Sequence, residues 1–357
     1  MELFNELLQV ALGLRKVLSR SPSDEEWCAL FEMAQKQAVA GIAIAALEKL
    51  SVQEQKPPQM LLLEWIGLCE QIRTENIRLN KCCQRLQKKF FEAGVQTSIL
   101  KGQGIACYYD DSLRELRQSG DIDIYVDCSR EKALALVKNE KITVNSWDYK
   151  HAQLDIWDDV AVEMHYRVEV LLNLRKNRKL QKWFKENKEQ LFEEKDGMVT
   201  PTVSFNWFYI LLHIYRHFLY EGVGMRQLMD YYFVLKKHSD STDNSEILNV
   251  LHEFGMMRFA RGVMWIMQEV FGLERKYMIC EPLESEGRFV LGEVMAGGNF
   301  GHHDQRLTHG GGKLNTVKQV CKHNCHLMSH YPSDVVWAPI WFVWHKCWKL
   351  WTRRNLK

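Results

Sequence analysis

The chain has 357 residues, 46% of them hydrophobic and 26% charged, an ordinary globular balance with ample material for a core and a length that fits two or three domains. Lys and Arg number 47 against 45 Asp and Glu, a near-balance that leaves no bulk electrostatic footprint for nucleic acid. The 10 cysteines are scattered, which predicts reduced thiols in a cytoplasmic protein rather than a disulfide framework.

Glu2 and Glu6 interrupt the apolar pattern of Met1 to Arg20, so this stretch is expected to be an amphipathic helix and not a secretory leader. Residues 1–93 read as helical, with Phe4, Leu7, Leu8, Ala11 and Leu12 at helical spacing. Ser21-Pro22-Ser23-Asp24 followed by Glu25-Glu26 marks a fresh helix start, and Pro57-Pro58 a break before another helix over about Leu61 to Ala93. Near Gly94 the pattern changes to short strands and helices, and residues 94–195 are expected to form a small α/β unit. Its strands are predicted at Gln96–Leu100 and Asp121–Val126, with a hairpin of Ala152–Trp157 and Val160–Tyr166 around Asp158-Asp159. Residues 196–357 return to helices: Phe205–Tyr220, Met225–Lys237, and Ile247–Phe271 with a break near Gly255. The stretch from Asn299 to Asn315, rich in Gly and His, reads as a loop. No run of about 18 uninterrupted apolar residues occurs, so no spanning helix is expected.

The sharpest chemical signal is Gly120-Asp121-Ile122-Asp123-Ile124-Tyr125-Val126. Side chains alternate along a strand, so Asp121 and Asp123 share one face while Ile122, Ile124 and Val126 share the other. Neighbouring carboxylates in apolar surroundings repel one another and are desolvated, and a divalent cation offsets both costs. Glu163 stands between apolar residues in Ala161-Val162-Glu163-Met164-His165-Tyr166 and reaches the aspartates if the two strands are neighbours. Three carboxylates can bind two Mg²⁺ (or Mn²⁺) ions, one for a triphosphate and one that acidifies an acceptor hydroxyl. Between a strand and a helix lies Leu100-Lys101-Gly102-Gln103-Gly104, where glycine lets backbone approach a phosphate and Lys101 adds positive charge. Arg117 stands before Gly120 as a further triphosphate contact or as the partner of an acidic residue. His165 shares the face of Glu163, either as a buried structural histidine or as part of the nucleotide site.

Lys101-Gly102, Arg117-x-x-Gly120-Asp121-Ile122-Asp123 and Glu163-Met164-His165 together resemble the polymerase-beta-type nucleotidyltransferase superfamily. They are most similar to its uncharacterised bacterial nucleotidyltransferase family, and His213-x-x-x-His217, Arg226-x-x-x-Asp230 and Gly298-Asn299-Phe300-Gly301 extend the likeness into the helical flank. The pattern departs from the superfamily where Gly102-Gln103 replaces the usual Gly-Ser or Gly-Gly pair, and the gap to the aspartates is longer. The resemblance implies an α+β fold: a small mixed-sheet nucleotidyltransferase core flanked by N-terminal and C-terminal helical regions. It further implies a transferase that binds ATP or another NTP and moves an NMP to a hydroxyl acceptor with release of pyrophosphate. Asp121, Asp123 and Glu163 would be its catalytic and metal-binding residues, and Lys101, Gly102, Gly104, Arg117, Gly120 and His165 its nucleotide-binding residues. The acceptor is a small molecule, a protein hydroxyl or an RNA end. The reading from another class is a non-catalytic nucleotide-binding or assembly protein on the same fold.

Other motifs carry less. Gly310-Gly311-Gly312-Lys313 is no P-loop, because Leu307 and Leu314 stand where Gly and Ser/Thr belong. His213 and His217, one helical turn apart, lack the Glu of a zinc-protease motif and are read as packing or as a substrate contact from the helical region. Arg226 and Asp230 fit a helical ion pair, and Cys321-x-His323-x-Cys325-His326 fits no closed zinc site. His302, His303, Asp304 and His309 decorate the predicted loop. Trp337, Trp341, Trp344, Trp348 and Trp351 form a stripe at helical spacing, expected to bury against the helices of Phe205–Lys237. With Lys346, Lys349, Arg353 and Arg354 alongside, the alternative is peripheral membrane contact.

Overall fold

A computed structural model describes residues 2–237, 244–299 and 325–355. The N-terminal part contributes α1 (Glu2–Ala11), α2 (Asp24–Lys36), α3 (Ala40–Lys49) and the long α4 (Gln59–Glu92). The start of α2 is a capping box: the Ser23 hydroxyl accepts from the Glu26 amide, and the Glu26 carboxylate accepts from the Ser23 amide. Near its N-terminal end α4 buries Trp65 and Cys69 in the helical core, and further along it buries Leu79, Cys83, Leu86 and Phe90 under the sheet. A single helix therefore ties the two cores together.

The sheet has five strands in the order β1-β2-β5-β4-β3. They are β1 (Thr97–Ile99), β2 (Ile122–Val126), β3 (Thr143–Trp147), β4 (His151–Trp157) and β5 (Val160–His165). Short helices α5 (Gln103–Ala106) and α6 (Asp111–Arg114) follow β1, and α7 (Arg130–Asn139) follows β2. Pairing is antiparallel except between β2 and β5, which run parallel. The apolar face, with Ile122, Ile124, Val126, Val162 and Met164, packs on α4 and on Ala133 and Val137 of α7. Side-chain alternation then forces Asp123 and Glu163 onto the opposite face.

The chain continues through α8 (Leu174–Glu186) and the hairpin of β6 (Glu193–Lys195) and β7 (Met198–Thr200). It ends in α9 (Val203–Tyr220), α10 (Met225–Lys236), α11 (Ser245–Phe254), α12 (Met257–Glu269), α13 (Glu284–Gly297) and α14 (Pro332–Asn355). Gly255, at φ +67°, closes α11 in the left-handed region, which accounts for the expected break. The fold is thus α+β with a small mixed sheet and flanking helices, as expected from the sequence. Two features were not foreseen. Strand β3 is a polar, largely exposed edge strand whose Thr-Val-Asn-Ser-Trp lacks apolar alternation. The β6–β7 hairpin has only three residues per strand, too few for a periodic signal.

The tryptophan stripe is helical but docks elsewhere than expected. Trp341, Trp344 and Trp348 pack edge-on around Tyr149, with ring centroids 5.7, 5.0 and 5.1 Å away. The Arg130 guanidinium lies 5.2 Å from the rings of both Trp147 and Trp348. The main partner is therefore the β3–β4 turn; from α9 only Tyr220 packs against this cluster. Trp351 is 65% exposed. A stripe with a seven-residue repeat drifts by about 20° per heptad on a straight helix, which carries the last ring off the contact face. Among the described residues no helix is long and apolar enough to cross a membrane. Of the predicted Gly/His-rich loop only Asn299 is described; His302, His303, Asp304, His309 and the Gly310–Lys313 segment lie outside the described residues, as do Cys321 and His323.

Candidate active site

The parallel register of β2 and β5 sets Asp123 directly opposite Glu163, with Ile122 opposite Val162 and Ile124 opposite Met164. Asp121 precedes β2 by one residue. One oxygen from each of Asp121, Asp123 and Glu163 lies within 4.8 Å of the others, a spacing at which three carboxylates can share a cation. Asp123 is buried, and Asp121 and Glu163 are half-buried.

Three nitrogens lie against these carboxylates. Lys101 Nζ lies 2.8 Å from Asp123 Oδ1. His165 Nε2 lies 2.8 Å from the same oxygen and 3.3 Å from Glu163 Oε2. His151 Nε2 lies 3.6 Å from Glu163 Oε1. Their effect is uneven. The charge of Asp123, together with burial, pushes the Asp121 carboxyl up. Burial alone would also raise Asp123, but Lys101 and the hydrogen bond from His165 hold it well below the usual carboxylate range. Glu163 follows the same pattern: burial opposes ionisation, yet the His165 hydrogen bond keeps it at about 2. Uncompensated repulsion in the cluster is thus concentrated at Asp121. The donor set suits a divalent cation such as Mg²⁺ or Mn²⁺: hard oxygens on converging side chains, one of them electrostatically frustrated.

Asp121 and Asp123 open into a narrow cleft, whereas Glu163 is not among its lining residues. Lys101, Gly102, Arg117, Gly120, Asp121 and Asp123 form one wall, and Ile210, His213 and Ile214 of α9 with Arg226, Gln227 and Asp230 of α10 form the other. Gly102 adopts φ +55°, a conformation that turns the chain between β1 and α5 beside Asp121. Gly104 is placed differently. A Cβ there would stand 2.2 Å from the Ile99 carbonyl oxygen, so its lack of a side chain lets α5 pack on β1 below the cleft. His165 is fully buried behind the carboxylates and is not part of the cleft lining.

Arg117 makes a bidentate pair with Asp230 at 2.7 and 2.8 Å, and the Tyr109 hydroxyl donates to the same carboxylate at 2.7 Å. The pair locks α10 against the loop before β2, so Arg117 borders the cleft with its charge already partnered. Arg226 does the complementary work on backbone, donating to the carbonyls of Gln118 and Ser119 at 3.1 Å each. Arg226 and Asp230 thus each hold the loop that carries Asp121.

A second buried cluster lies behind α9. Glu169 is fully buried, with Lys150 Nζ and His213 Nδ1 each 3.0 Å from its carboxylate and Arg216 Nε at 3.5 Å. Arg216 also bonds Glu221 at 2.7 Å, and His217 Nδ1 lies 2.9 Å from that carboxylate. Burial works against the Glu169 charge, but Lys150 and Arg216 hold its carboxyl well below the usual range. Burial, then the charge of Lys101, holds His213 well below the usual imidazole range. Lys150, Glu169 and Tyr109 carry no local sequence signal for these contacts, since their partners are 19 or more residues away. Of the remaining histidine candidates, His326 pairs with Glu293 at 3.0 Å.

No curated protein and no solved structure matches the chain. The family described as "uncharacterised nucleotidyltransferase" matches residues 23–272, which takes in both walls of the cleft and every candidate carboxylate. The chain therefore belongs to this nucleotidyltransferase family.

Proposed function

We propose that the protein transfers an NMP group from an NTP to a hydroxyl acceptor, with release of pyrophosphate. The observation that carries this reading is the convergence of Asp121, Asp123 and Glu163 within reach of one cation, with Asp121 and Asp123 lining a cleft that also presents Lys101 and the Gly102 turn. Asp121, Asp123 and Glu163 hold Mg²⁺ or Mn²⁺, which when bound neutralises phosphate charge and acidifies the acceptor hydroxyl. Lys101, Gly102 and Gly120 line the triphosphate position, Lys101 by charge and the glycines by close backbone approach. Arg117 and Arg226 fix the loop that carries Asp121, so that the carboxylates are preorganised before substrate arrives. The acceptor oxygen attacks the α-phosphorus in line, the bond from that phosphorus to the bridging oxygen breaks, and pyrophosphate departs. Near-neutral net charge favours a small molecule or a protein hydroxyl over an RNA end as acceptor, in a cytoplasmic setting.

The test is pyrophosphate release from ATP, GTP, CTP and UTP with and without Mg²⁺, by wild type and Asp121→Asn. Metal-dependent release by wild type and its loss in the variant support the reading. Nucleotide binding without turnover, unchanged in Asp121→Asn, would favour a non-catalytic binding protein instead.

A further inference from the structure

We infer that His213, oriented by Glu169, is the general base that takes the proton from the acceptor hydroxyl. The inference rests on the transfer reaction proposed above. His213 lies on α9, on the wall of the cleft that faces Asp121 and Asp123. An ionised carboxylate only accepts hydrogen bonds, so the 3.0 Å contact with Glu169 fixes the proton on His213 Nδ1. The neutral ring then carries its lone pair on Nε2. That edge is turned away from Glu169, and among the described residues no hydrogen bond to Nε2 occurs. His213 is 6% exposed, so this lone pair is held in a nearly dry position on the cleft side.

Glu169 is itself immobilised by Lys150 and Arg216. A fully buried carboxylate with two cationic partners and a histidine is a costly arrangement whose chief effect on His213 is to fix tautomer and ring orientation. Glu163, the alternative base, has its Oε2 engaged by His165 at 3.3 Å. The step balances as follows. The acceptor O–H bond breaks as the oxygen bonds to the α-phosphorus, the proton passes to Nε2, and the bridging P–O electron pair leaves with pyrophosphate. The imidazolium then returns its proton to water after product release.

Charged groups on every side set the basicity of His213: Lys101, Asp121 and Asp123 on the facing wall of the cleft, Arg226 and Asp230 on α10, His217 and Arg216 on α9, and Lys150 behind Glu169. A bound triphosphate adds negative charge near Lys101 and raises the proton affinity of Nε2 from its low resting value.

The experiment measures pyrophosphate release from Mg²⁺-ATP, Mg²⁺-GTP, Mg²⁺-CTP and Mg²⁺-UTP, with water as the acceptor, for wild type, His213→Asn, His213→Ala and Glu169→Gln. Asn keeps a donor for Glu169 and lacks the base. His213→Asn is expected to lower kcat by about 10²-fold or more with nucleotide KM within a few fold, and to lose the acid limb of the pH–rate profile. His213→Ala is expected to regain turnover with added imidazole, a response that a folding defect does not give. Glu169→Gln is expected to lose less than His213→Asn. Unchanged kcat in His213→Asn, or a loss confined to nucleotide KM, overturns the inference and leaves the transfer reaction standing. Absence of both nucleotide binding and turnover by wild type with all four nucleotides overturns the transfer reaction itself, and the inference with it.

Discussion

Asp123 and Glu163 face each other across two parallel strands, and His165 Nε2 reaches an oxygen of each, at 2.8 and 3.3 Å. Asp121 stands one residue before β2 and has no such nitrogen partner among the described residues. The two aspartates are therefore unequal. Asp121→Asn removes a repelled charge and is expected to leave the melting temperature unchanged or higher. Asp123→Asn strips Lys101 and His165 of their shared partner and is expected to destabilise the fold by about 3 kcal/mol, the cost of breaking a buried pair. Both are expected to lower turnover by about 10³-fold or more, as loss of a preorganised charge does. Thermal melts and pyrophosphate release on the same preparations check this; equal melting shifts for the two variants would contradict the asymmetry.

The carboxylate triad was legible because strand alternation is a local rule. Asp121, Asp123 and Glu163 each sit in a short apolar frame that fixes which face they occupy, and only the neighbouring of the two strands had to be supplied by the fold. The α9–α10 wall was partly legible: His213, His217, Arg226 and Asp230 stood out as spaced pairs, but their partners did not. Spacing suggested Arg226 with Asp230 but not the longer-range partners: Arg117 and Tyr109 for Asp230, and the carbonyls of Gln118 and Ser119 for Arg226. Such contacts span more than 100 residues and leave no periodic trace. The glycines show a similar limit, since Gly102 and Gly104 look alike in sequence while only Gly102 lines the cleft.

Gly104→Ala separates those two glycine roles. The added methyl would stand 2.2 Å from the Ile99 carbonyl oxygen, and backbone on both sides has to shift. Overpacking of this kind costs about 1–3 kcal/mol. A lowered urea midpoint with nucleotide KM unchanged is expected. A KM increase at full stability would instead assign Gly104 to phosphate binding.

Stability is expected to fall as the pH drops from about 6.5, the ordinary histidine value. Burial, first of all causes, holds both His213 and His217 below that value. Below pH 6.5 the unfolded chain binds protons that the folded chain refuses, so unfolding is favoured by up to about 1.4 kcal/mol per pH unit for each such histidine. His165 has the opposite sign: its hydrogen bonds to Asp123 and Glu163 outweigh burial and raise it, so it stabilises the fold at low pH and offsets part of this effect, to which His151, held at about 4 by burial, also contributes. His217→Asn is expected to flatten the pH dependence by one proton's worth. Urea midpoints at pH 7 and 5.5 for wild type and variant measure this, and identical slopes would count against a neutral His217.

Helix α14 presents apolar residues on two faces, and the inner one is bound to the sheet. Trp341 is 6% exposed against Tyr149, Val170 and Leu172, whereas Val343, Leu350 and Trp351 on the outside are 65, 64 and 65% exposed. If the inner contact is the helix's principal role, deleting residues 336–357 strips the cover from Tyr149, Trp147 and Arg130, and the whole protein melts at lower temperature. Trp341→Ala alone is expected to cost about 3 kcal/mol, the usual loss for a large buried aromatic. Tyr149 also tethers Arg167, whose guanidinium stacks 3.9 Å from its ring and donates to its carbonyl at 2.6 Å, two residues beyond His165. Loosening α14 is therefore expected to reach the carboxylate cluster and to weaken Mg²⁺-dependent nucleotide turnover in the truncated chain. A membrane role for the helix predicts the reverse pattern, in which truncation leaves both the melt and the turnover intact and abolishes flotation with vesicles containing anionic lipid. The edge-on stack of three tryptophans around one tyrosine favours the first outcome, since a ring committed to Tyr149 is not available to a headgroup layer.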